Sequence, residues 1–75
     1  MVKVKLKNKT LHFDEDLINS YKKMTGSLPY EEDMLNYLSI DVGYDISNDL
    51  DSYSENELET MLSKDFAKDV KLLGL

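Results

Sequence analysis

The chain has 75 residues, 41% hydrophobic and 32% charged, a balance that suits one small globular domain and excludes a disordered tail. It has no cysteine, which removes disulfides, thiolate metal sites and cysteine redox chemistry. The formal charge is −6, and its distribution says more than its sum. Residues 1–23 carry six lysines and three acids, and residues 64–75 carry three lysines and two acids. Residues 24–63 hold no basic residue and ten acids: Glu31, Glu32, Asp33, Asp41, Asp45, Asp49, Asp51, Glu55, Glu57 and Glu59. Such a block fits a basic partner surface, although acidity also serves plain solubility.

Val2, Val4 and Leu6 alternate with Lys3, Lys5 and Lys7, the period-two pattern of a half-buried strand. Asn8-Lys9 reads as a turn and Thr10–Phe13 as a returning strand, so residues 2–13 form a hairpin with its lysines outward. A first helix spans about 15–25. Asp14 caps it, Glu15 and Asp16 complement its dipole, Phe13 and Ile18 stand at the staple positions, and Gly26 stops it.

A second helix spans about 30–42, with Pro29 at its first position, Met34, Leu35, Leu38 and Val42 as its buried stripe, and Gly43 at its end. On its opposite flank, Asp33, Asn36, Tyr37 and Ile40 group an acid, an aromatic and an aliphatic residue in the manner of an interface centre. The alternative is that Tyr37 and Ile40 pack beneath the hairpin or the 44–53 segment. That segment reads as an acidic loop pinned by Ile46 and Leu50.

Ser54-x-x-Glu57 is a capping box that opens a third helix, with Tyr53 stapling onto Leu58. Continued straight, this helix would place Asp65 and Asp69 in the apolar stripe of Leu58, Leu62 and Phe66, a costly position for unpaired carboxylates. The expectation is therefore a break near Ser63–Asp65, giving helices at 55–63 and 65–73, the last stopped by Gly74. The predicted fold is α+β: a single small domain with an N-terminal β-hairpin on three or four short helices.

Motifs for chemistry are sparse. His12 is the one histidine and lies in a strand, which argues against a nucleophilic triad or a zinc site. Asp45, Asp49, Asp51 and Glu55 suggest a calcium loop, but the sixth position is Leu50 where Gly is required and the twelfth is Asn56 where Glu is required. The three glycines are isolated, so there is no phosphate-binding loop. These features predict a non-enzymatic protein with no cofactor and no metal. No apolar run reaches the roughly 18 residues of a membrane span. Met1–Lys9 is charged where a signal peptide is apolar, so the expected setting is cytoplasmic.

From Val2 to Val42, a Lys-alternating strand, a helix ending Met24-Thr25-Gly26-Ser27 and a second helix resemble a ribbon-helix-helix DNA-binding protein. That family includes small antitoxins with an acidic, toxin-binding C-terminal segment. The resemblance implies a dimer whose Lys3, Lys5 and Lys7 enter the major groove. The chain departs from the pattern at Asn8–Phe13, which reads as a second strand, and at Glu31, Glu32 and Asp33, where that family approaches phosphates. The absence of arginine and the acidic block further oppose direct nucleic-acid binding.

A small, cysteine-free, strongly acidic chain is also similar to the inhibitors carried by phages and mobile elements, including anti-restriction and anti-CRISPR proteins. Many of these imitate nucleic acid, their carboxylates occupying the Lys- and Arg-lined groove of an enzyme. The leading expectation is an inhibitor of that type. Its partner-binding residues would be Glu31, Glu32, Asp33, Tyr37, Ile40, Asp41, Asp45, Asp49, Asp51, Glu55, Glu57 and Glu59, with Tyr44 and Tyr53 interleaved. The alternatives are the ribbon-helix-helix regulator or antitoxin and an assembly module with no nucleic-acid link.

Overall fold

The computed structural model describes residues 1–72. It orders the chain as β1 (Val2–Leu6), β2 (Lys9–Phe13), α1 (Glu15–Thr25), α2 (Glu31–Val42) and α3 (Glu55–Leu72), with one 3₁₀ turn at Leu50–Ser52. This is the expected α+β domain, a hairpin followed by helices. The two strands pair antiparallel in the register Val2↔Phe13, Val4↔Leu11 and Leu6↔Lys9. Alternation then sends Val4, Leu6, Leu11 and Phe13 inward and leaves Lys3 and Lys5 exposed. The two-residue turn is Lys7-Asn8, one position earlier than expected, and Lys7 takes a left-handed φ of 54°. β1 finds its partner within its own chain, whereas a ribbon-helix-helix protein pairs that strand with a second copy.

Local signals set the helix ends. The Asp14 side chain accepts hydrogen bonds from the Asp16 and Leu17 backbone amides at 3.1 and 3.2 Å. Gly26 and Gly43 close α1 and α2 with φ of 87° and 80°, a region where an L side chain is strained. Ser54 and Glu57 form the reciprocal capping box, both bonds 3.1 Å. Pro29 lies two residues before α2, because Tyr30 takes the cap position. Its fixed backbone steers the chain into the helix without belonging to it.

The expected break near Ser63–Asp65 is absent, and helices 55–63 and 65–73 are one helix, α3. The part of that expectation at Leu73 and Gly74 lies outside the described residues. Two physical reasons account for the continuity. Ser63-Lys64-Asp65 contains no glycine or proline to end a helix. The buried row Leu58, Leu62, Phe66, Val70 also has i, i+4 spacing, and such rows incline across a helix. By the last turns the row has moved around the helix, which leaves Asp65 and Asp69 on its trailing edge beside α2.

Phe66, fully buried, is where the elements meet. Its ring lies 5.3 Å from Phe13 of β2, 4.8 Å from Tyr21 of α1 and 5.7 Å from Tyr37 of α2, all at tilted or edge-on angles. Ile46 and Leu50, both buried, tie the 44–53 loop to the same core. Among the described residues, no helix is long and apolar enough to cross a membrane.

Candidate interaction surface and the α2–α3 seam

The twelve candidate residues divide by what the fold already asks of them. Glu31 reaches back to the hairpin turn: one carboxylate oxygen accepts the Lys7 backbone N–H at 3.1 Å and the other lies 3.8 Å from Lys7 Nζ. Glu57 is half of the capping box. Glu59 faces β2, where it accepts the His12 backbone N–H at 2.6 Å and stands 3.4 Å from His12 Nδ1. Asp45 accepts both the amide and the hydroxyl of Ser47, at 3.0 and 2.7 Å, and these bonds hold its carboxyl below the usual range. These four acids have structural work within the chain.

Glu32, Asp33, Asp51 and Glu55 are exposed and Asp49 is partly so, with no side-chain hydrogen bond or ion pair among the described residues. The loop that carries Asp49 and Asp51 is held at three places. Ile46 and Leu50 anchor it inside, Asp45 and Ser47 brace its first turn, and the phenols of Tyr44 and Tyr53 join its two ends at 3.0 Å. That bond pushes the Tyr44 hydroxyl up to about 12. The loop's tip and the hairpin turn share one depression, lined by Lys7, Asn8, Ser47, Asn48, Leu50 and Asp51.

The expected grouping of Tyr37 with Ile40 on one solvent-facing flank does not occur. Ile40 is 80% exposed, whereas Tyr37 is half-buried on Phe66 and donates its hydroxyl proton to Asp69. Ile40, so exposed, packs under neither the hairpin nor the 44–53 loop, whereas Tyr37 joins the core at Phe66. The helical angle separates them: Tyr37 is turned about 60° further toward α3 than Ile40, at about 100° per residue.

Sequence reasoning missed the seam that Tyr37 enters. Asp41 of α2 and Asp65 of α3 line one groove with Met61, Lys64 and Lys68. The Asp41 carboxyl faces Asp65 within hydrogen-bonding reach, and Asp65 Oδ2 is buried with no hydrogen-bond partner. Burial first, then that bond and the charges of Asp41 and Asp69, push the Asp65 carboxyl up to about 7, against a lowering by Lys68. Beside it, burial and the bond to Asp69 keep the Tyr37 hydroxyl protonated far above its ordinary range. Burial also raises Tyr21, with Asp33 and Asp69 adding to the effect. The available signal was the pair Asp65 and Asp69 at i, i+4 along the edge of an apolar row, a place that demands polar partners.

Among the described residues, no three acidic or histidine side chains are grouped so that they could hold a metal ion. Comparison of the chain with protein-family models, with curated proteins and with solved structures gives no match.

Proposed function

We propose that this protein is a non-enzymatic interaction protein whose acidic middle occupies a basic groove, in the manner of an inhibitor that imitates nucleic acid. The carrying observation is the braced 44–53 loop, which holds Asp49 and Asp51 at the surface on a backbone fixed by Ile46, Leu50 and the Tyr44–Tyr53 bridge. Pre-positioned carboxylates lose little conformational entropy on binding, so they compete effectively with a phosphate backbone for Lys and Arg groups. Glu32, Asp33 and Glu55 extend the charge on α2 and at the start of α3. Glu31, Glu57, Glu59 and Asp45 contribute to the field, but their first role is to hold the scaffold.

The test is capture of partners from nuclease-treated lysate, followed by competition with duplex DNA. A nucleic-acid-handling enzyme is expected to be retained at low salt, released as salt rises and displaced by the duplex. The triple variant Asp49→Lys, Asp51→Lys, Glu55→Lys should keep its helical circular dichroism and lose the partner. Undiminished binding by that variant overturns the reading. Ile40, 80% exposed near the end of α2, favours a second reading as an assembly module. That reading predicts a partner that survives high salt and is lost on Ile40→Ser.

A further inference from the structure

We infer that Asp41 and Asp65 share one proton across the α2–α3 seam, and that losing it loosens α2 from the rest of the domain as pH rises. The geometry requires a donor at this point. Asp65 Oδ2 is buried without a partner, and a carboxylate oxygen in that position forfeits the hydration it had in water. The group that α2 brings to Asp65 in this groove is a second carboxyl, Asp41, which can bond to Asp65 only if one of the two carries a proton. Two ionised carboxylates at hydrogen-bonding distance would repel each other and leave the buried oxygen unsatisfied.

The other groups facing Asp65 do not supply that donor. Asp69, one turn further along α3, adds negative charge and is itself engaged by Tyr37 of α2. Lys68 opposes the shift without cancelling it, and Lys64 lines the same groove. Asp33 and Tyr21 act on Tyr37 and not on Asp65.

The sign of the pH effect follows. In the unfolded chain Asp65 gives up its proton near the ordinary Asp value of about 4. In the folded protein it keeps the proton to about 7. Between those limits the folded state binds more protons, so stability falls as pH rises. The contribution is complete below the lower limit and gone above the upper one. Most small domains behave oppositely in this window, because their paired carboxylates lose stability as pH falls.

Carboxyl ¹³C NMR of the full chain tests the inference directly. Asp65 is expected to titrate more than one unit above an ordinary aspartate. Thermal melts from pH 5 to pH 8 give the energetic side. The wild-type midpoint should fall across this range, and Asp65→Asn, which carries a permanent amide donor, should flatten that fall. At pH 8 the variant should melt higher than wild type by about 4 °C, the shift expected of roughly 1 kcal/mol in a domain this small. His12 is common to both proteins and drops out of their difference. Asp41→Asn should return the Asp65 titration toward the ordinary range, since the like charge is gone and an amide donor serves the carboxylate. An ordinary Asp65 titration in the wild-type protein, or an Asp65→Asn variant that melts at or below wild type at pH 8, overturns the inference.

Discussion

On its hairpin side, α3 meets β2 and α1 through Phe13, Tyr21, Ile18 and Leu11 packed on Phe66, Leu62 and Leu58, all buried, with Glu59 and His12 only at the rim. On its other side, the same helix meets α2 through Met34 and Leu38 and then through a polar edge of Tyr37, Asp41, Asp65 and Asp69. The first contact depends on area removed from water and is nearly indifferent to pH. The second is conditional, because its carboxyls stay in place only while their protons and donors do. One helix thus carries an unconditional face and a conditional face, divided along the inclined row that runs from Leu58 to Val70.

The largest expected effect comes from removing what the two faces share. Phe66→Ala should cost about 3–5 kcal/mol. That approaches the whole stability of a domain this small, and far-UV circular dichroism at 25 °C should show a largely unfolded chain. If Phe66→Ala stays folded and loses only the α2 contacts, the two faces are independent. Next, Tyr37→Phe keeps the ring on Phe66 and deletes the donor to Asp69. Its expected cost is about 1.5 kcal/mol by urea denaturation, the value for a partly buried hydrogen bond to a charged group. A neutral result would mean that the polar edge contributes nothing to docking.

Ser54→Ala removes half of the capping box, which belongs to neither face, and should cost about 1 kcal/mol. Ile40→Ser should change stability by no more than about 0.5 kcal/mol, because the side chain already sits in water. A larger loss there would show that α2 is covered on its Ile40 side.

The hairpin and the helix caps were readable because their causes are local. Asp14, Gly26, Gly43 and the Ser54–Glu57 pair act on amides within a few residues, and alternation in Val2–Leu6 needs no knowledge of what lies above it. The continuity of α3 was not readable, because the penalty assigned to Asp65 and Asp69 assumed that they had no partners. The partner of Asp69 is Tyr37, 32 positions away, and nothing in the local pattern shows α2 bringing it there. The same applies to Glu31 and Glu59. Composition marks them as surface charge, yet long-range contacts to Lys7 and His12 give them structural work. For the candidate surface, the acidic block itself was plain, and the division into engaged and unengaged carboxylates required the fold.

The hairpin turn has a consequence for the order of assembly. Lys7 occupies a left-handed conformation that costs a non-glycine residue about 1–2 kcal/mol. An isolated two-stranded ribbon in water has little stability to set against that. The hydrogen bond that steadies this turn comes from Glu31, 24 residues later in the chain and at the start of α2. The ribbon is therefore expected to gain its stability only as α2 arrives. Strand pairing and helix docking should then appear in refolding kinetics with a single rate constant.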